Sequence, residues 1–228
     1  MDQQDIIQKT ADYVRQELSD DSSGHDWWHI YRVWNNAILI CDDEKADSFI
    51  VQLAALLHDL DDWKFNDAGE DPASSLGTGT PRRAQAWLDS FSLDPSIADA
   101  VCHIIQHISF KGAKVANQMD SLEGFIVQDA DRLDAIGAIG IARAFAYGGY
   151  KNRPLYDPDS SPQLHESFEQ YKTSNSDTIN HFYEKLLLLK DRMNTPTAKR
   201  IAEQRHEFMV QYLHQFMDEW DGKDTEKT

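Results

Sequence analysis

Apolar residues recur every three or four positions along most of the chain, which is the spacing of amphipathic helices. The first such stretch, residues 5–18, carries its apolar side chains at Ile6, Ile7, Ala11, Val14 and Leu18. The stretch from residue 27 to residue 39 is apolar around most of its circumference and predicts a buried central helix. No strand-like pattern runs for more than four residues. The chain is therefore predicted to be all-α.

Capping and breaking residues define the remaining helices. Asp94-Pro95 and Thr195-Pro196 each combine an N-cap residue with a proline that suits the first helical turn. Ser121 is expected to cap another helix, and Gly148-Gly149 to end one. Together these signals predict helices over residues 48–60, 81–91, 95–108, 122–135, 136–147, 176–193 and 196–220.

Two breaker-rich stretches, residues 66–79 and 151–177, interrupt this pattern. Each fits two roles equally well: a mobile lid over a substrate, or a mobile connection with no such role. The polar tail from residue 221 is expected to fray. With no internal repeat and no convincing linker, one domain over residues 1–228 is the economical interpretation. The long terminal helices could pack on the core or on a partner, so the oligomeric state stays open.

The charge balance excludes some partners. The formal net charge is −17, whereas binding to a nucleic-acid backbone needs a basic face. A small phosphorylated substrate remains possible because a bound cation inverts the local field. The two cysteines do not suggest a disulfide framework. The polar N-terminus lacks the features of a signal peptide, and no apolar run is long enough for a membrane span, so we expect a cytoplasmic protein.

One apolar run ends in ionisable residues. Residues 53–62 (LAALLHDLDD) place His58 and Asp59 at the end of a helix that otherwise reads as buried. Buried imidazole and carboxylate groups are costly without a partner, and a metal ion satisfies both at once. The competing interpretation is a helix end whose acidic cluster extends into solvent. The pair alone does not decide between them.

Two other segments offer further metal ligands. His29 lies one turn inside the Trp-rich helix, although a buried histidine is more often simply hydrogen-bonded. His25, at the polar start of that helix, is expected to cap it or face solvent. Three more carboxylates occur within a single stretch of six residues that apolar side chains flank. They belong to Asp129, Asp131 and Asp134. Two imidazoles and two carboxylates would suit Mn²⁺, Fe²⁺, Co²⁺, Ni²⁺ or Zn²⁺ and would suit Ca²⁺ poorly.

The order His, His-Asp, Asp on successive helices resembles the HD-domain superfamily of metal-dependent phosphohydrolases. Residues 24–29 (GHDWWH), 128–137 (QDADRLDAIG) and 181–186 (HFYEKL) are similar to small bacterial HD proteins that look like nucleotide pyrophosphohydrolases. Residues 130–133 (ADRL) resemble the final-ligand motif of alarmone hydrolases. The resemblance spans residues 6–220. It implies a helical HD domain with one buried metal held by His29, His58, Asp59 and Asp131.

The resemblance also suggests roles in a reaction. Asp62, one turn beyond His58, resembles a catalytic acid of related phosphohydrolases and would orient or deprotonate the attacking water. Asp134 would hold His29 or His58 in the required tautomer. Aspartate ligands favour ions harder than Zn²⁺, so Mn²⁺ is the preferred metal. Cationic or donor groups that would bind a phosphorylated substrate, by preference a nucleotide, are Arg32, His103, His107 and Lys111.

Pyrophosphate release from nucleoside or deoxynucleoside triphosphates is the preferred reaction, and nucleotide phosphomonoester or phosphodiester hydrolysis is the alternative. A di-iron oxygenase of the same superfamily is less favoured because the helix after the first loop has Arg82 and Arg83 but no histidine. An alarmone hydrolase would place a second acidic residue at position 63, where Trp63 stands. A non-catalytic nucleotide sensor is a further rival.

Overall fold

The computed structural model describes residues 1–18, 26–60, 81–108, 118–163 and 176–223. These residues form α-helices, short 3₁₀ turns and irregular connections, with no β-strand in the described ranges, which confirms the all-α prediction. They divide into two compact units, the first formed by the described residues up to 131 and the second by those from 132 onward. The organisation as one domain stays a prediction.

The first unit is built around a short apolar helix. Its helices are α1 (Gln3–Glu17), α2 (Trp27–Glu44), α3 (Ser48–Leu57), α4 (Arg82–Asp89), α5 (Pro95–His107) and α6 (Leu122–Asp134), the last of which continues into the second unit. Helix α3 packs against α1, α2 and α5. Its residues 53–57 are completely buried, and the small side chains of Ala54 and Ala55 let neighbouring helices approach closely.

Helix α3, and not α2 as the sequence pattern predicts, is therefore the central buried helix of the first unit. Helix α2 buries Ile30, Val33 and Ala37 but exposes Trp28, Tyr31 and Leu39. The apolar residues of α2 thus lie on both its buried and its exposed faces, and the prediction that residues 27–39 form a buried central helix was wrong. A count of apolar residues does not distinguish a core contact from an aromatic side chain left on the surface.

The helix starts follow the capping residues. The carboxylates of Asp26, Asp47 and Asp94 accept hydrogen bonds from backbone N–H groups in the first turns of α2, α3 and α5. Ser121 Oγ accepts one from the N–H of Gly124 at the start of α6 (3.1 Å). The Ser96 side chain and backbone N–H lower the pKa of Asp94 by hydrogen bonding to its carboxylate. These contacts satisfy N–H groups that have no partner within the helix.

The second unit contains α7 (Gly137–Tyr150), α8 (Thr178–Glu184), two 3₁₀ turns (Leu186–Leu188 and Lys190–Arg192) and α9 (Pro196–Trp220). Helix α7 packs against both α8 and α9. Thr195 caps α9 by accepting from the N–H of Ala198 (3.2 Å), as its sequence signal predicts. Rings from several segments form an aromatic cluster: Phe145, Tyr156, Phe182, Tyr212, Phe216 and Trp220.

Helix α7 does not stop at the glycine pair. It continues to Tyr150, and Asn152 beyond it adopts a left-handed conformation with φ of 53°. A Cβ atom at Gly148 would lie 2.3 Å from Thr178 Oγ1. Gly148 therefore permits close packing of α7 against α8, and its predicted role as a helix terminator was wrong.

The predicted helix over residues 176–193 is also wrong. Asp177 caps the shorter helix α8, which ends at Glu184, and two 3₁₀ turns follow. Four consecutive leucines, residues 186–189, carry no periodicity that distinguishes an α-helix from 3₁₀ turns. Leu186 and Leu189 are buried, whereas Leu187 and Leu188 are half-buried.

The structure describes part of one predicted irregular segment and none of the other. Residues 66–79 lie outside the described ranges, while residues 151–163 and 176–177 lie within them and contain no helix. Asp62, Lys111 and His25 also lie outside. No helix in the described parts of the chain is both long and apolar enough to cross a membrane.

Candidate metal centre

His29 is held in the first turn of α2 by the cap of its own helix. Asp26 accepts a hydrogen bond from the His29 backbone N–H (3.0 Å), which anchors the start of the helix. The His29 side chain points into the first unit and is 1% exposed. The start of α2 thus places an imidazole in the interior.

His58 immediately follows the last residue of α3, and its ring orientation is set by that helix end. Its Nδ1 atom lies 2.9 Å from the carbonyl oxygen of Ala55, three residues earlier. A carbonyl oxygen can only accept, so Nδ1 donates and the neutral ring carries its lone pair on Nε2. This is the tautomer in which Nε2 can bind a metal.

His58 Nε2 is buried and has no hydrogen-bond partner among the residues that the structure describes. A buried polar atom without a partner costs about 1–3 kcal/mol. Carboxylate oxygens lie near it, with Asp59 Oδ1 at 3.5 Å and Asp131 Oδ1 at 3.9 Å. The atom therefore faces other donors of electron pairs, an arrangement that suits a cation between them.

The second histidine faces the same two carboxylates. His29 Nε2 lies 3.3 Å from Asp59 Oδ2 and 3.5 Å from Asp131 Oδ1. Ligand atoms of His29, His58 and Asp131 all lie within 4.8 Å of one another. Ligands at about 2.1 Å from one ion are themselves about 3 to 4 Å apart. The spacing of these groups fits a single metal ion.

The candidate centre is buried on the histidine side and open on one carboxylate side. The side chains of His29, His58 and Asp59 are 1%, 2% and 11% exposed, whereas that of Asp131 is 34% exposed. A site of this kind leaves an approach for a substrate next to Asp131. Of the three neighbouring carboxylates in α6, Asp131 is the one near the histidines, while Asp129 is wholly buried.

Comparison with known proteins decides the family. The HD domain family model matches residues 27–136, which include all four predicted ligands. The chain is 43% identical over 215 residues to the uncharacterized protein YpgQ of Bacillus subtilis, covering 94% of this chain and 93% of that protein. The chain belongs to the HD-domain superfamily of hydrolases. The resemblance inferred from the sequence is thereby confirmed.

Solved structures resemble this HD protein over nearly its whole length. A crystal structure of an HD-superfamily hydrolase from Bacillus thuringiensis is 42% identical, with a TM-score of 0.73, and covers 96% of this chain and 99% of that one. The crystal structure of Bacillus subtilis YpgQ in complex with ADP is also 42% identical, with a TM-score of 0.69, and covers 94% of this chain and 100% of its own.

The remaining predicted site residues of this HD protein have varied surroundings. Asp134 accepts a hydrogen bond from Arg143 Nη1 (2.6 Å) within the second unit. Ala55 O, rather than Asp134, holds the tautomer of His58. A role of Asp134 toward His29 stays a prediction.

The predicted phosphate-binding residues stay predictions too. Arg32 is half-buried in α2, one turn beyond His29. The rings of His103 and His107 lie side by side in α5 with centroids 4.4 Å apart. His103 Nδ1 is 3.7 Å from the exposed carboxylate of Asp120. Both imidazoles are half-buried, and His107 Nδ1 lies 2.8 Å from the carbonyl oxygen of His103.

Sequence reasoning missed two buried polar groups, one that contacts His58 and one in the helix that carries Asp131. One is the carbonyl of Ala55, which lies three residues before His58 at the end of α3. Because it is a backbone group, no side chain in the sequence indicates its role. The other is Gln128, which is 1% exposed although it is polar. A single polar residue after the apolar run of Phe125, Ile126 and Val127 was the available signal, because buried amides are usually hydrogen-bonded.

Proposed function

We propose that this HD hydrolase is a metal-dependent nucleotide phosphohydrolase. Its preferred reaction would cleave a nucleoside or deoxynucleoside triphosphate to the monophosphate and pyrophosphate. The observation that carries the proposal is His58 Nε2, a buried atom that has no hydrogen-bond partner among the described residues. It faces two carboxylates, and the ring is in a tautomer suited to metal binding.

The metal would be held by His29, His58, Asp59 and Asp131, with Mn²⁺ as the preferred ion. Two neutral imidazoles and two carboxylates balance the charge of a divalent transition metal. When bound, such an ion polarises a phosphoryl oxygen and lowers the pKa of a coordinated water. The open side at Asp131 would admit the substrate, since the histidine side is closed by protein.

Asp62 is proposed to orient and deprotonate the water that attacks phosphorus. The water oxygen then becomes part of one product, the oxygen of the broken phosphoanhydride bond leaves with the other, and the proton passes to the carboxylate. Asp59 is a poor candidate for this role because a ligand carboxylate is already neutralised by the ion. The assignment of Asp62 rests on the sequence motif.

A nucleotide is favoured as substrate because YpgQ, 42% identical to this chain, crystallises in complex with ADP. The phosphate chain would be bound by donors from α2 and α5 and the segment after α5, namely Arg32, His103, His107 and Lys111. These groups matter in a chain with a net charge of −17, which otherwise repels a polyphosphate.

The test is a hydrolysis panel with added Mn²⁺ after dialysis against a chelator. It contains nucleoside triphosphates, deoxynucleoside triphosphates, monophosphates and cyclic nucleotides, and assays phosphate and pyrophosphate separately. We expect pyrophosphate from triphosphates, lost in Asp59→Ala but retained in Asp12→Ala, a control at an exposed aspartate of α1. Phosphate from monophosphates, or opening of cyclic nucleotides, would overturn the preferred reaction and keep the metal site. Binding of Mn²⁺ without any turnover would overturn catalysis and favour a nucleotide sensor.

A further inference from the structure

Gln128 is a buried polar residue on the same helix as the proposed ligand Asp131. It lies in α6 three residues before Asp131, so the two side chains are neighbours on the helix surface. Its exposure is 1%, while Asp131 remains open to solvent on its free side. A buried amide one turn from a metal ligand is well placed to determine where that ligand lies.

The Gln128 amide binds the end of a different helix. Its Nε2 atom donates to the carbonyl oxygens of His107 (3.3 Å) and Ile108 (3.4 Å). These carbonyls belong to the last residue of α5 and to its C-cap, where backbone acceptors lack partners within the helix. An amide NH₂ has two protons, one for each of the two carbonyls.

A second contact joins the start of α6 to the start of α3. Glu123 Oε1, in the first turn of α6, accepts a hydrogen bond from the backbone N–H of Asp47 (3.1 Å), the residue that caps α3. Helix α3 is the helix that presents His58 at its opposite end. Glu123 therefore positions the start of α6 on α3, and Gln128 positions its middle on α5, which itself packs against α3.

We propose that Gln128 is a positioning residue for the metal centre. By donating to the carbonyl end of α5, it fixes how α6 is rotated about its axis and where it lies along that axis relative to α5. The Asp131 carboxylate is thereby placed 3.5 Å from His29 Nε2. The inference rests on the proposed metal centre but not on the identity of the substrate. Small displacements of a ligand weaken metal binding because coordination distances tolerate only a few tenths of an ångström.

The test replaces Gln128 with methionine, which has a similar length and volume but no N–H donor. We expect the dissociation constant for Mn²⁺, measured by calorimetric titration of the folded protein, to rise about tenfold or more. Activity should recover substantially at saturating Mn²⁺, because Gln128 does not touch the substrate in this proposal. A merely structural role would lower the melting temperature without changing the Mn²⁺ affinity of the folded protein.

The matched control is Gln85→Met in α4. Gln85 also contacts α5, accepting from Cys102 Sγ (3.1 Å), but does so away from the carbonyl end of that helix. Its replacement should leave Mn²⁺ affinity unchanged. Should Gln128→Met fail to fold, Gln128→Glu serves the same purpose, because a carboxyl group keeps the shape and cannot donate both hydrogen bonds.

The possible failures are distinguishable. If the unaltered protein binds no Mn²⁺, the metal centre and this inference are both overturned. If it binds Mn²⁺ but Gln128→Met or Gln128→Glu binds it equally well, only the role of Gln128 is overturned. A matching loss of affinity in Gln85→Met would also overturn it, since the effect would then not depend on the end of α5.

Discussion

Each of the two units buries a cluster of polar side chains, and the two clusters differ in how they are satisfied. In the second unit, Asp177 accepts from the backbone N–H and the side-chain amide of Asn180, both at 2.7 Å. Glu184 accepts from the N–H of Gln163 (3.0 Å) and from Ser176 Oγ (2.8 Å). Donors from the chain itself thus meet these buried carboxylates.

The cluster in the first unit is arranged differently. His58 Nε2 has no hydrogen-bond partner within the described ranges, and the atoms nearest to it include oxygens of Asp59 and Asp131. Internal hydrogen bonds stabilise the fold by themselves. Electron-pair donors that point toward one another are instead stabilised by a positively charged partner from outside the chain. Burial of polar groups alone therefore does not identify a site. The approach of an imidazole nitrogen to two carboxylates does.

The largest expected effect comes from His58→Asn. The asparagine amide can still donate to Ala55 O, but it offers no atom at the position of Nε2. Loss of one ligand should reduce Mn²⁺-dependent turnover about a thousandfold or more, because several kcal/mol of charge stabilisation are lost. Calorimetric titration with Mn²⁺ and turnover measured over a range of Mn²⁺ concentrations check this. Undiminished Mn²⁺ affinity would remove the distinction between the two clusters.

A smaller effect is expected in the second unit from Asp177→Ala, and it should fall on stability and not on metal binding. The change removes the N-cap of α8 and leaves the buried amide of Asn180 without its carboxylate partner. We expect the free energy of unfolding to fall by about 2–3 kcal/mol, measured by denaturant titration without metal. Mn²⁺ affinity should not change. The exposed Asp191→Ala is the control, and a weakened Mn²⁺ affinity in Asp177→Ala would contradict the expectation.

The smallest effect is a packing effect at Gly148. Gly148→Ala should lower the free energy of unfolding by about 1–2 kcal/mol, because the new methyl group meets Thr178 Oγ1. Gly149→Ala is a close control: the adjacent position in the same helix has open space around it, so alanine there should stabilise by about 0.5–1 kcal/mol. Thermal melts of both variants test this. Equal effects at the two positions would show that contact with α8 does not matter.

Most of the candidate centre was accessible from sequence because its signals are local. His58 and Asp59 end a run of apolar residues, and the resemblance of residues 130–133 (ADRL) to a known ligand motif distinguishes Asp131 from Asp129 and Asp134. Such residues stand out wherever the fold places them, since ionisable groups in an apolar segment need a partner. Helix starts were accessible for a similar reason: a cap acts on N–H groups within three residues of itself.

The errors have a common cause. The Gly148-Gly149 pair predicts a helix end because glycine ends many helices, yet the function of Gly148 here depends on Thr178, thirty residues later in the chain. The four leucines at residues 186–189 are compatible with several local conformations, and the chain adopts a 3₁₀ turn over Leu186–Leu188 in which Leu186 is buried. Local propensity is a weak preference that packing overrides.

The sequence by itself determined the all-α class, the helix starts at Asp94 and Thr195 and the identity of the candidate ligands. Each follows from a composition, a capping signal or a motif contained in a short segment. Only the tertiary structure decided that α3 rather than α2 lies at the centre, that Ala55 O sets the tautomer of His58 and that Gln128 joins α6 to α5. Backbone carbonyls carry no sequence signal, and their partners are chosen when helices pack together.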